Sequence, residues 1–283
     1  MSGVDFSTVG AALLFCPADR PDRFHKAIAR ADAVILDLED AVLPPNRAAA
    51  RDALLTTTID PTRTIVRVNP VGTTDHEADI DAVLASEYRT VMLAKAESAQ
   101  AISELSGRAA ASGIELTVIA LCETAAGVRA AAEIAAEPAV TALMWGAEDL
   151  IASLGGTSSR NEHGHYRHVA LHARSSVLIA AGSHGKAAID TVHLDIGDVE
   201  GLAREAQDAA ASGFRASACI HPSHVPVIRA SYAPSPSEVF AARQLIDEAG
   251  RHAGVFRFEG LMVDEPVLRH ARAVVARSEH TVS

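Results

Sequence analysis

The chain has 283 residues, and its 36 acidic against 25 basic side chains leave a formal net charge of -11. That surplus opposes general binding to nucleic acid or to an anionic membrane surface, while a local basic pocket stays compatible with it. No uncharged run approaches the roughly 18 residues a membrane span needs, and the short apolar stretch at 11–16 has no basic region ahead of it, so a soluble, cytoplasmic protein is expected.

In chain order, short β-rich runs at 12–16, 33–38, 64–69, 90–93, 116–122, 140–145, 188–194 and 216–220 alternate with Ala-rich stretches. Among those stretches, 21–30, 46–56, 125–136 and 199–211 have polar and apolar residues at helical spacing. Alternation of this kind implies right-handed βαβ units around a parallel sheet. Eight units, with no glycine fingerprint opening the first helix, predict a (β/α)8 TIM barrel rather than a doubly wound sheet. Beyond the eighth strand, Pro234-Ser-Pro-Ser237 caps a predicted helix at 238–249, and "GVFRFEGLMVDEPVL" leads to a last helix at 267–277. The expected organisation is a barrel over 1–232 and a C-terminal helical extension and lid over 233–283. Gly254 and Gly260 read as hinges of that lid. Cys16, Cys122 and Cys219 have no paired spacing for zinc, and their odd number disfavours a disulfide framework, so reduced and mostly buried thiols are expected.

In such barrels the site lies at the C-terminal ends of the strands. Here those ends read Cys16-Pro-Ala-Asp-Arg20, Asp37-Leu-Glu-Asp40, Arg67-Val-Asn69, Lys95-Ala-Glu97, Glu123-Thr124, Gly146-Ala-Glu-Asp149, His193-Leu-Asp195 and His221-Pro222. Each carries ionisable or polar groups. The second end, "AVILDLED" at 33–40, sets three carboxylates in four residues after a buried-type run, which calls for a cation, donors or solvent beside it.

Glu123 and Asp149 would end strands five and six, whose spacing of roughly 5 Å lets both reach one hard cation, with water and substrate oxygens completing the shell. Magnesium fits that pattern. The lesser alternative for either acid alone is a helix N-terminal carboxylate that favours the dipole. Arg67 offers a planar fork to a substrate carboxylate or enolate-like oxygen, or else partners Asp37 or Glu39 structurally. Arg20 and Lys95 are weaker candidates, each also readable as a surface cation. Among the 13 histidines, His168 and His172 share a helix face without an acidic third ligand, and the segment 161–172 reads as solvated. His221 reads as functional or as a satisfied structural histidine.

Together, Cys16-Pro-Ala-Asp-Arg20, "ILDLEDAV", "VRVN", "MLAKAES", "LCETAAGV", "MWGAEDL", "CIHPSHVPV" and "FEGLMVDEPVL" resemble the citrate lyase β-subunit-like branch of the HpcH/HpaI aldolase family, close to its mycobacterial-type members. No single motif is specific, but their order and spacing from about residue 11 to 272 are. The resemblance implies a (β/α)8 barrel, usually a homotrimer, that breaks or makes a carbon–carbon bond between an acyl-CoA and a keto acid with Mg2+. It puts the metal acids at Glu123 and Asp149, the substrate-binding arginine at Arg67 and paired active-site acids at Glu39 and Asp40. It also makes Asp264 the aspartate that related enzymes bring from a neighbouring subunit, here as catalytic base or acid. Two departures are Ala94, where the family often has proline, and the His-rich 161–172. A pyruvate-type aldolase that does not use CoA, a malate synthase-like condensation with thioester hydrolysis, and a catalytically silent binding protein are the alternatives. A CoA-dependence assay separates the first from the lyase.

Overall fold

The computed structural model describes residues 3–252 and 254–280. Side chains of a strand alternate between its faces, and here one face of each run is filled by residues that meet at a common axis. Leu13, Ile35, Ile65, Met92, Ile119, Leu121, Ala142, Met144, Ile189, Ala216 and Ala218 pack into one interior cluster. Eight parallel strands close around it in chain order: β1 (Ala12–Pro17), β2 (Ala33–Asp37), β3 (Thr64–Val68), β4 (Thr90–Leu93), β5 (Thr117–Cys122), β6 (Val140–Trp145), β7 (Ala187–Asp190) and β8 (Ala216–Cys219). The β1–β8 pairing, Leu13 opposite Ala218, completes the (β/α)8 barrel. Each fully buried Ile or Leu contributes about 1.5–3 kcal/mol. A register slip by one residue would turn that set outward, so the interior pins the direction of every side chain above it.

The crossovers carry α1 (Phe24–Ile28), α2 (Arg47–Thr56), α3 (Thr74–Ala85), α4 (Ala99–Ala111), α5 (Ala125–Ala136), α6 (Ala147–Ser153), α7 (His168–Ser183) and α8 (Val199–Ser212), with α9 (His224–Tyr232) after β8. Their starts are capped locally: the side chains of Ser98, Thr124 and Asp198 accept the N–H groups of Ala101, Gly127 and Gly201. The helix expected at 21–30 is a 3-10 turn, Pro21–Arg23, followed by only five α-helical residues.

The other end of the barrel is floored by the segment preceding β1. Val4, Phe6 and Val9 join the interior cluster from below. Val4 N–H donates to Thr90 Oγ1 at 2.7 Å, and Arg215 reaches across to the carbonyls of Phe6 and Val9 at 2.6 and 2.8 Å. Cys16, Cys122 and Cys219 are all buried. Among the described residues no helix is long and apolar enough to cross a membrane.

The chain divides into two compact units, Met1–Ile228 and Arg229–Ser283. The second contains α10 (Pro236–Ala249), an antiparallel hairpin of β9 (Phe256–Phe258) and β10 (Leu261–Val263), and α11 (Glu265–His280). Ser235 and Glu238 form a reciprocal capping box at the start of α10, and Ala242, Ala271 and Val274 pack α10 on α11. Gly260 does not read as a hinge in this structure. With Glu259 at φ 48 and Gly260 at φ 86, these two residues make the tight turn between Phe258 and Leu261, the backbone geometry that matches strand twist in a two-residue hairpin.

Candidate active site

The alternation that aims Ile35 and Ile65 inward carries Asp37 and Arg67, two residues further on, to the mouth of the barrel. They stand opposite one another in the β2–β3 ladder. Arg67 Nε and Nη2 donate to the two Asp37 oxygens at 2.7 and 2.6 Å, and its guanidinium lies 4.9 Å from the Phe15 ring centre. One edge of the arginine fork is thus committed to Asp37. Its Nη1 lies 3.0 Å from Glu39 Oε2, off the hydrogen-bond axis, so that this buried oxygen has no aligned donor.

Asp37 also organises the acids after it. Its oxygens accept the N–H groups of Glu39 and Ala41, each at 3.0 Å, which bends "DLED" into a turn. The turn sends Glu39 inward and Asp40 outward, with side chains 4% and 59% exposed.

Glu123 follows β5 and is buried, and Asp149 lies in the first turn of α6 after β6. Close approach of these strand ends depends on Gly146: a Cβ there would fall 2.8 Å from both Cβ and Oε2 of Glu123. Lys95 links the two sides. Its φ of 49 places a non-glycine residue in the left-handed region, strain of order 1 kcal/mol or more. In that conformation its N–H donates to Glu123 Oε1 at 3.1 Å. Its Nζ then lies 2.5 Å from Glu39 Oε1, 3.3 Å from Asp149 Oδ1, and 4.0 Å from both Glu123 Oε1 and Asp40 Oδ2.

Five carboxylates therefore face two cations, Arg67 and Lys95. Burial, then the charges of Asp149 and Glu39, push Glu123 up to about 8. Burial also raises Glu39, against the pull of Arg67 and Lys95. Burial opposes the charge on Lys95, but its hydrogen bond to Glu39 and the charges of Glu39, Glu123 and Asp149 outweigh it and hold the ammonium above the ordinary lysine range. The mouth is short of positive charge. A buried carboxylate at about 8 and a Glu39 oxygen without an aligned donor both fit a further cation. Among the described residues no three His, Cys, Asp or Glu side chains form a closed metal cage. An ion that takes one or two carboxylates and leaves its other positions to water and substrate oxygens, as magnesium does, suits the pair Glu123 and Asp149.

The structure thus brings together Glu39, Asp40, Arg67, Glu123 and Asp149, with Lys95 against the four acids and Asp37 bonded to Arg67 and to the Glu39 N–H. Asp264 belongs to the second unit, where its Oδ1 accepts the N–H of Val267 at 3.2 Å and caps α11. His221 is exposed and bonds Ser223, and His168 and His172 lie exposed on α7. His193 is buried with Nδ1 2.8 Å from Glu205. One buried acid at a strand end, Asp190, is hidden in the sequence; it accepts Trp145 Nε1–H at 2.5 Å and a forked contact from Arg174. The alternating apolar residues after it made β7 look longer than it is. Two grooves of about 630 and 640 Å³ lie at the opposite, N-terminal ends of the strands, near Leu116 and Ala139 and near Phe6 and Ala187. Concentrated charge marks the site at the other end.

Residues 11–222 match the HpcH/HpaI aldolase/citrate lyase family. A citrate lyase subunit beta-like protein of Mycobacterium tuberculosis (strain ATCC 25618 / H37Rv) is 51% identical over 280 residues, covering 99% of this chain and 100% of the relative. The mitochondrial citramalyl-CoA lyase of Homo sapiens is 32% identical over 93% of this chain and 84% of its own. Among solved structures, protein CitE from Mycobacterium tuberculosis in complex with magnesium, acetoacetate and coenzyme A superposes with a TM-score of 0.91 at 52% identity, covering 96% of this chain and 99% of that one.

Proposed function

The chain belongs to the HpcH/HpaI aldolase/citrate lyase family, and from that premise we propose that it is a magnesium-dependent carbon–carbon lyase acting on a 3-hydroxyacyl-CoA thioester. Citryl-, malyl- or citramalyl-CoA would be split into a short acyl-CoA and a keto acid, or formed from them. The carrying observation is the excess of buried carboxylate charge at the mouth, with Glu123 held at about 8. A structural neighbour that binds magnesium, acetoacetate and coenzyme A together supports the substrate class.

In this reading Glu123 and Asp149 hold the metal. When bound, magnesium supplies positive charge where negative charge develops on the keto-acid oxygens. Arg67 takes the substrate carboxylate. Because its Nε and one Nη2 proton serve Asp37, the substrate meets the Nη1–Nη2 end of the guanidinium. Asp37 keeps that end aimed at the mouth. Glu39 and Asp40, with Lys95 against both, orient water and the substrate hydroxyl. Asp264, supplied by a neighbouring subunit of a homotrimer, removes the hydroxyl proton. The bond between the hydroxyl-bearing carbon and the thioester α-carbon then breaks, its electron pair leaving with the acyl-CoA as an enolate that takes up a proton. The 233–283 segment acts as the lid that delivers Asp264, and the protein works in the cytoplasm.

The test is a panel of citryl-, malyl-, citramalyl- and hydroxymethylglutaryl-CoA, each assayed with magnesium and with chelator. Cleavage of at least one thioester that stops in chelator is expected. Cleavage of the free hydroxy acids at the same rate as the thioesters would make the enzyme a CoA-independent aldolase. Light scattering of the intact protein checks the trimer.

A further inference from the structure

The "VRVN" motif contains a residue to which the reading above gives no role. Asn69, just past β3, is only 2% exposed. Its side-chain Nδ2 donates to Asp79 Oδ2 at 2.7 Å and to the Leu38 carbonyl at 3.0 Å. Both neighbours are acceptors, so the amide is held in one orientation; a flip would set oxygen against oxygen at both contacts.

Leu38 is the residue between Asp37 and Glu39, and its backbone is held at every polar atom. Its N–H donates to the Arg67 carbonyl at 3.0 Å, and its C=O accepts from Asn69. The N–H of the same Leu38–Glu39 peptide goes to Asp37 Oδ1 at 3.0 Å. A planar peptide gripped at its oxygen and at its nitrogen cannot rotate. Its orientation sets where the Glu39 Cα, and with it the carboxylate, points.

Asn69 is gripped in turn. Asp79, fully buried on α3, accepts the Asn69 backbone N–H at 2.9 Å as well as the side chain, and its other oxygen takes Arg51 Nε from α2 at 2.7 Å. His76 Nδ1 lies 2.8 Å from the Asn69 carbonyl. A buried carboxylate is costly unless paired and fully hydrogen-bonded. Here Arg51 supplies the charge and Asn69 the remaining donors, so the two outer helices clamp the strand end beneath the acid turn.

We propose that Asn69 is a positioning residue for Glu39, holding the Leu38–Glu39 peptide at the angle that brings the Glu39 carboxylate to Lys95 and Arg67, and that Asp79 serves the reaction by fixing Asn69. This rests on the active-site role given to Glu39 above. Asn69 touches no reacting atom; it acts through the peptide.

The experiment is a double-mutant cycle with magnesium and whichever of the four thioesters named above is cleaved fastest. Asn69→Ala in the otherwise native enzyme should lower kcat by about tenfold or more while KM changes by less than about threefold. In a Glu39→Gln enzyme, where the carboxylate to be aimed is gone, the same change should lower kcat by less than about twofold. A residue that merely supported the fold would cost the same factor in both backgrounds, and that equality would overturn the proposal, as would a loss confined to KM or no loss at all. If Asn69→Ala fails to fold, Asp79→Asn replaces it, which keeps the volume and leaves Asn69 in place, with the same expectations. Glu39→Gln measured alone tells the two levels apart: wild-type rates there remove the role of Glu39 itself, whereas a slow Glu39→Gln enzyme with independent Asn69 effects rejects only the positioning.

Discussion

Glu123→Gln separates the electrostatics of the mouth from its shape. Burial, and after it the charges of Asp149 and Glu39, lift Glu123 to about 8 from an ordinary 4.5. The folded chain therefore binds this proton more tightly than the unfolded chain does. The stability it contributes is fully present below the unfolded value and is lost as the pH rises to the folded one, so ionisation penalises the fold increasingly from pH 4.5 to about 8. Each pH unit in that window costs about 1.4 kcal/mol, so at pH 7 in chelator the wild-type protein carries a penalty of roughly 3 kcal/mol. Glutamine never ionises and escapes it, while its carbonyl still accepts the Lys95 N–H. For a chain of this size about 1 kcal/mol corresponds to ~2 °C in Tm, so the variant should melt roughly 6 °C above the wild type at pH 7. At pH 5 the gap should narrow to about 1–2 °C, because little of the window has been crossed. Magnesium should reverse the order, stabilising the wild type through a ligand pair the variant lacks, and turnover should be lost. The assay is calorimetry at pH 5, 7 and 9, in chelator and in magnesium. Equal melting temperatures in chelator at all three pH values would refute the argument that Glu123 is held in surplus negative charge.

Three further outcomes follow from the same geometry. Arg67→Lys keeps the charge but cannot hold both Asp37 oxygens and present a second edge to substrate, so kcat/KM should fall tenfold or more, on the order of 1.4 kcal/mol; wild-type kinetics would reduce Arg67 to a structural partner. Gly146→Ala drives a methyl group to within 2.8 Å of Glu123, so calorimetric titration should show weaker magnesium binding by a chain whose circular dichroism is unchanged; native affinity would show that the mouth gives way freely. Asp264→Asn should cap α11 nearly as well and keep its Tm but lose most turnover. Mixing it, after subunit exchange, with inactive Glu123→Ala should restore part of the activity, and mixed oligomers without recovery would confine Asp264 to its own chain or to the cap.

The barrel is legible in the sequence because its strands obey a period of two and its helices do not. Ile35 and Asp37, Ile65 and Arg67, Leu121 and Glu123 each read as an apolar interior residue followed two places later by a charge at the mouth, and the closed barrel bears out that architecture. The strands at 90–93 and 140–145 and the helix at 125–136 are found with those bounds. What lies beyond local pattern is harder. Lys95 reads as a surface cation because nothing in "MLAKAES" announces a left-handed backbone, and that φ is what turns its ammonium into the acids. The Arg67 fork is shared between Asp37 and the mouth only through the β2–β3 register, which no single strand encodes. The hairpin before α11 is hidden because its turn is Glu-Gly where Asn-Gly would have signalled it. Asn69 and Asp79 are ten residues apart, but their contact depends on how α3 lies against the end of β3.

Arg215 joins parts of the barrel made far apart in time. It immediately precedes β8, yet its guanidinium grips the carbonyls of Phe6 and Val9, contacts spanning 209 and 206 residues. At a synthesis rate of roughly 5–20 residues per second, about ten to forty seconds separate the emergence of Val4, Phe6 and Val9 from that of the arginine that anchors the last two. During that interval three apolar side chains destined for the barrel floor have no floor to complete. The strands between can begin to pair, but the barrel closes only when the eighth has been made, so its floor and its last strand are completed together.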